Sequence, residues 1–187
     1  MKYLRRFMWF IAARALVVTI VISILVCAFY MSMNSANIYI VLTDGLKARV
    51  SAILTAEGAE TLNDYFHAEF LNQDTALQGA FDGTSAFGAY SITDFKYVLT
   101  IESLWAWPWD TTASCVVTER VPSITGKVLS SRKEEVPEAV PAWQGGRYRI
   151  TLQRSNGKWK ITGMKQIGII IEPTPSPEPT VEVTSGT

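Results

Sequence analysis

The sequence predicts an α+β domain behind one N-terminal transmembrane helix. Three observations carry that prediction: an uncharged apolar run over residues 15–33, apolar residues at helical spacing between Leu46 and Phe70, and a switch to period two from Tyr90 onward. At 187 residues the chain has room for one anchor and one domain of ordinary size. The expected domain holds two or three helices packed on an antiparallel sheet, and each element can be justified in turn.

Residues 15–33, ALVVTIVISILVCAFYMSM, carry no charge, and their aliphatic hydroxyls are Thr19, Ser23 and Ser32. At ~1.5 Å per residue such a helix reaches on the order of 28 Å, enough to cross bilayer hydrocarbon. Lys2, Arg5, Arg6 and Arg14 precede the run, whereas Lys47 and Arg49 follow it beside Asp44. Positive charge stays on the cytoplasmic side. Residues 1–14 are therefore expected in the cytoplasm, residues 15–33 across the cell membrane, and the chain from residue 34 onward outside it. The long stem of Arg14 lets its charge snorkel back toward the headgroups. Phe7, Trp9 and Phe10 near one end, with Phe29 and Tyr30 near the other, match interfacial aromatic belts. Two other readings compete. A cleaved signal has an apolar core of roughly 7–15 residues and an A-x-A-like site; this run is longer, and MSMNSAN offers only a poor site near Ala36. Cys27 invites lipid attachment, but bulky Val26 stands where such signals carry a small residue.

The chain carries 17 Lys and Arg against 17 Asp and Glu, unevenly placed. Between residues 34 and 110 the bases are Lys47, Arg49 and Lys96, amid a large excess of acids. Between residues 111 and 171, Arg120, Lys127, Arg132, Lys133, Arg147, Arg149, Arg154, Lys158, Lys160 and Lys165 outnumber Glu119, Glu134, Glu135 and Glu138. Internal pairing and solvated strand faces are the plain reading. The sharper one is a basic sheet face that meets an acidic partner or anionic lipid. A location outside the cell disfavours nucleic acid as a partner. Cys27 in the membrane and Cys115 in a strand cannot meet, so no disulfide framework is expected. His67 is the single histidine, which leaves no Cys/His cluster for zinc; no metal or cofactor is expected.

Residues 34–43 read as a linker, whose IYIVL either prolongs the anchor helix or tucks beneath the domain. Asp44 is a candidate cap for a helix in which Leu46, Val50, Ile53 and Leu54 make one apolar stripe. Gly58 marks a weak point. Glu57 and Glu60 suit the positive end of a second helix, along which Leu62, Tyr65, Phe66, Glu69 and Phe70 follow at helical spacing. His67 lies off that stripe, as a partly exposed helix residue would. Asp74 is a candidate cap for a brief third helix over residues 75–81, and DGTSAFGA over 82–89 is a loop.

From Tyr90 the pattern alternates. Tyr97, Leu99, Ile101, Ser103, Trp105 and Trp107 share one face; Val98, Thr100, Glu102, Leu104 and Ala106 share the other. Pro108 stops this strand, residues 110–112 turn, and residues 113–121 form the next, prolonged over 124–129 past a break or bulge at Pro122. Residues 130–144 are a polar loop. The clearest local prediction is a hairpin in which residues 146–154 and 158–163 flank Asn156-Gly157, a pair that accepts the positive φ angles of a type I′ turn. Tyr148, Ile150 and Leu152 then share one face of its first strand, Trp159 and Ile161 one face of its second. Residues 167–171, IGIII, continue the sheet. The tail, residues 172–187, is Pro-rich with no base, and is expected to be disordered and extended.

There is no G-x-G-x-x-G, no P-loop and no G-x-S-x-G, and no catalytic residue is assigned. The most unusual string outside the anchor is WAWPW, holding Trp105, Trp107 and Trp109. It serves either as core packing with a rim aromatic, or as an exposed edge that docks on a partner or dips into a membrane interface. These tryptophans, with Arg147 and Arg149, are the candidate partner contacts.

Helices first, then a long strand, then strands ending in GRYRITLQRSNGKWKITGM over residues 146–164: this order resembles the nuclear transport factor two-like cone fold, with the NGKWKI segment as its residue-level basis. The resemblance covers residues 44–171 and implies a curved antiparallel sheet that wraps the helices and encloses a tapered pocket. Behind a single anchor, such a domain is similar to the bitopic subunits of type IV secretion, conjugation and sporulation channels, which oligomerise and hold a complex at the membrane. Other cone-fold relatives are enzymes, resembling ketosteroid isomerases or dehydratases, with an Asp base and a Tyr or protonated acid, or a His-Asp pair, in the pocket. Here Asp94, Tyr97 and Glu102 lie near the first long strand with no histidine beside them. The expectation is a single-pass membrane protein whose non-catalytic outer domain assembles with other envelope proteins or with copies of itself. The alternative is a small-ligand-binding or sensory cone domain.

Overall fold

The computed structural model describes residues 2–170, so the tail expected over 172–187 lies outside the described residues. A single helix, α1 (Lys2–Thr55), runs for 54 residues. It is the one described helix long and apolar enough to cross a membrane. Its first half, from Phe7 to Met33, is exposed nearly all round. From Asn34 onward one stripe is buried: Asn34, Ile38, Leu42, Leu46, Val50, Ile53 and Leu54. Asp44 and Lys47 take the opposite, exposed face, the ordinary amphipathic arrangement of a helix on a core.

The stretch read as a linker, residues 34–43, is thus the middle of α1. It contains no Gly or Pro to interrupt the helix, and extending an existing helix avoids the unfavourable nucleation step. Asp44, expected as a cap, lies within the helix for the same reason. The end comes at left-handed Ala56 (φ 56°) and Gly58 (φ 77°). Helix α2 (Ala59–Tyr65) then folds back on α1. A Cβ added at Gly45 would stand 2.8 Å from Tyr65 Cβ, so only glycine permits this approach.

The second helix does not continue to Phe70 as its spacing suggested. Phe66 and His67 are extended before α3 (Ala68–Gln73) begins. The cause is tertiary: Phe66 makes a parallel bridge to Ile161, and the His67 N–H donates to the Ile161 carbonyl at 2.9 Å. His67 is therefore a half-buried cap residue. Helix α4 (Thr75–Asp82) is capped as expected, Asp74 accepting from the N–H groups of Ala76 and Leu77.

Four antiparallel strands follow in the order β1 (Tyr90–Trp105), β2 (Thr112–Val128), β3 (Gly145–Ser155) and β4 (Lys158–Ile170), an open sheet. Asn156 (φ 51°) and Gly157 (φ 80°) make the predicted turn between β3 and β4. The helices lie on one face, where Ile38, Leu42, Leu46, Leu62, Phe66, Val117, Ile150, Leu152, Trp159 and Ile161 form the core. Burying each large apolar side chain contributes about 1.5–3 kcal/mol.

Strand β1 departs from simple alternation. Its pairing with β2 shifts between Ile92 and Asp94, Lys96 and Val98, and Ile101 and Ser103. The last bulge reverses the phase. Tyr97, Leu99 and Ile101 pack on the core as expected, but beyond the bulge Leu104 packs there and Ala106 is buried. Trp107, expected on the Tyr97 face, is turned outward.

Candidate functional site

Strand β2 sends Ala113, Cys115, Val117, Glu119 and Val121 to the core face in strict alternation. Glu119 is thus a carboxyl placed by periodicity among apolar neighbours, with 0% exposure. The Tyr97 hydroxyl donates to Glu119 Oε2 at 3.3 Å. On the helical side, Arg49 donates through Nε to Asp74 Oδ2 at 2.6 Å and through Nη2 to Oδ1 at 3.0 Å. The pair is bidentate and nearly dry, with side chains 11% and 6% exposed. Asp74 therefore serves both as the cap of α4 and as counter-ion to α1.

Burial pushes the Glu119 carboxyl above its ordinary range, and the charge of Arg49 only partly offsets this. Burial and the Glu119 charge together push the Tyr97 phenol up, so it remains a donor. Burial alone would lower Arg49, but its hydrogen bonds to and the charge of Asp74 outweigh that and raise it. Tyr148 is raised by burial and by Glu119. The indole of Trp143 comes close enough to favour the charged form of Glu119. Even so, neither Trp143 Nε1 nor Glu119 Oε1 completes a hydrogen bond of good geometry. Trp143 stacks on Phe87 with ring centres 5.9 Å apart and helps line a groove of about 340 Å³ with Ile53 and Gly79. Chemically, the cluster offers a fully buried carboxyl with a raised proton affinity and an unmatched acceptor oxygen, and an indole donor whose ring lines that groove. Burial also pushes the nearby Cys115 thiol to about 11, which leaves it protonated and inert.

The residues weighed for chemistry in the sequence do not converge. Asp94 is exposed. Glu102 lies on the outer sheet face, accepting from Thr118 Oγ1 at 2.9 Å and from both Nε and Nη2 of Arg147. Tyr97 alone points inward. Glu119, its actual partner, was legible only as one acid in the apolar phase of a strand.

The candidate partner contacts fall in two places. Arg147 and Arg149 are exposed on β3, Arg147 spanning the sheet to Glu102. Trp105 ends β1, and Trp107 and Trp109 occupy the turn to β2, with indoles stacked at 5.1 Å and 12°. Along β3, Arg147 lies roughly 20 Å from the Trp end of the sheet, at ~3.3 Å per residue. No protein-family model matches this chain, and no curated protein matches it in sequence.

Proposed function

We propose that this chain is a single-pass membrane protein whose α+β domain stands outside the cytoplasm and assembles, without chemistry of its own, with other envelope proteins or with copies of itself. The observation that carries the reading is the unbroken α1. One helix supplies both the exposed apolar segment and the central core stripe, so the domain is held in a fixed pose against the bilayer. Signal cleavage near Ala36 would cut α1 between buried Asn34 and buried Ile38, which favours a retained anchor. The basic residues ahead of the span favour a cytoplasmic N-terminus.

The assembly surface is the outer edge of β4. The α2–α3 junction covers that edge at Ile161. Beyond it, no described strand pairs with the edge, and Ile167 and Ile169 are exposed. An open, apolar edge is a template for another chain. Helices on one face of a bulged antiparallel sheet also support kinship with the nuclear transport factor two-like cone fold, though fold alone carries no function.

Crosslinking in intact membranes followed by pull-down of the full chain tests this reading. A crosslinked complex that Ile167→Lys/Ile169→Lys abolishes, with melting unchanged, is expected; recovery of a monomer alone overturns it. A second reading rests on one observation, the buried and unmatched Glu119 Oε1 and Trp143 Nε1, of which only Trp143 lines the groove beside α4. They favour a small polar ligand taken up behind Trp143, and Glu119→Gln then removes ligand binding without removing assembly.

A further inference from the structure

The turn after β1 is tied to the helix at the level where α1 leaves the predicted span. The Asp110 N–H donates to the Trp107 carbonyl at 3.1 Å, and the Trp107 N–H donates to Asp110 Oδ2 at 3.2 Å. With Pro108 inside it, this is a closed, rigid turn. Asn34 Nδ2 donates to the carbonyls of Trp107 (3.3 Å) and Pro108 (3.5 Å). Asn34 is buried, and it follows directly on the run 15–33. The turn is therefore level with the end of the apolar span. Tyr39 and Ile40, farther along α1, are still exposed, so apolar surface continues on both sides of that level. Trp109 is 68% exposed and stacks on Trp107.

The neighbouring loop adds charge of the matching kind. The Arg154 N–H donates to the Thr111 carbonyl at 2.7 Å, which brings the Asn156-Gly157 turn to the same end of the sheet. Arg154 and Lys158 are exposed there, while the Asp110 carboxylate is turned to the Trp107 backbone. Indoles beside basic side chains, at the end of an apolar helix, match the chemistry of the bilayer interface: an apolar ring with a polar N–H, and cations beside lipid phosphates.

We propose that the Trp107–Trp109 turn lies in the headgroup layer of the leaflet through which α1 emerges, so that the domain grips the bilayer at a second point beside its anchor. This rests on the anchored reading above. Two points of contact fix the domain's tilt and rotation, and so fix the direction in which the β4 edge faces.

The test uses the full chain in phosphatidylcholine–phosphatidylglycerol vesicles that contain lipids brominated near the headgroup end of the acyl chain. Indole emission is compared for the wild type, Trp109→Phe and Trp107→Phe/Trp109→Phe. Trp9, at the opposite end of the span, provides a constant quenched background. The expected result is a component quenched by bromolipid in the wild type, diminished in Trp109→Phe and lost in the double variant. Equal quenching in wild type and double variant overturns the contact, as does emission from the pair that aqueous iodide quenches and bromolipid does not, or that neither reaches because a protein covers it. Vesicle flotation of the same samples separates the two readings. A chain that floats without a lipid-quenched pair loses only this contact; a chain that does not float loses the anchor and the contact with it.

Discussion

The two halves of α1 are both rich in apolar residues, yet only the second packs on the domain. Residues 7–33 present apolar side chains on every face and touch almost nothing of the domain. Residues 34–54 gather most of theirs into the stripe running from Asn34 to Leu54, with Tyr39 and Ile40 left exposed beside it, and that stripe is the floor of the core. The difference teaches that the arrangement of apolar residues around a helix, rather than their number, decides whether the helix joins the domain's core. Polarity follows the same division. The first half carries no charge beyond Arg14, whereas the second takes Arg49 into the interior because Asp74 awaits it.

That contrast can be broken most severely at Arg49. Arg49→Met strips Asp74 of its counter-ion and removes the positive charge that favours ionised Glu119. Loss of about 3–5 kcal/mol is expected from denaturation of the detergent-solubilised chain. In the other half, Ile22→Arg leaves that denaturation curve in place but opposes insertion by roughly 2.5–3.5 kcal/mol, read as protein lost from the membrane fraction. A fold change from Ile22→Arg would erase the distinction between the halves.

Leu42→Ala against Leu25→Ala sharpens the comparison with one chemistry. The buried site loses about 2–5 kcal/mol, and the exposed one shifts by less than about 0.5 kcal/mol. Equal effects would mean that the first half is packed as tightly as the second. Gly45→Ala drives a methyl into Tyr65 and is expected to lower stability by about 1–3 kcal/mol, with α2 displaced in amide exchange.

A smaller, pH-dependent effect comes from Glu119. Burial raises its folded-state affinity for a proton above the ordinary value of 4.5. Between the unfolded and the raised folded value the native chain holds a proton that the unfolded chain has released. Stability therefore falls as pH rises through that window and levels off above it. Glu119→Gln is expected to flatten this part of the profile in melts taken across pH, and an unchanged slope would show that the carboxyl is ionised throughout. The smallest change is Trp109→Ala, within about 0.5 kcal/mol in detergent; a large loss there would make the turn part of the core.

Much of the architecture was legible in one dimension because it is written in periodicity. The uncharged run gave the membrane-length helix, Asp74 its cap, and Asn156-Gly157 its turn, since each is decided within a few residues. The same rule could have found Glu119, which keeps the phase of Cys115 and Val117. Its partner Tyr97 and its neighbour Trp143 could not be read that way, because they arrive from β1 and from the loop before β3.

What the sequence determined by itself was the class of each segment: long apolar helix, amphipathic helix, strand and hairpin. Where two segments meet, tertiary structure decided. Ile161 drew Phe66 and His67 out of a helix that their spacing favoured, because a sheet edge offered their backbone a partner. A bulge after Ile101 turned Trp107 away from the face its parity indicated, because one extra residue reverses every side chain beyond it. Asn34 fixed that turn beside the middle of α1 through carbonyls whose positions no local pattern encodes. Local energetics repeat along a chain and leave a pattern in it; contacts between distant segments leave none, and so they exist only once the chain has folded.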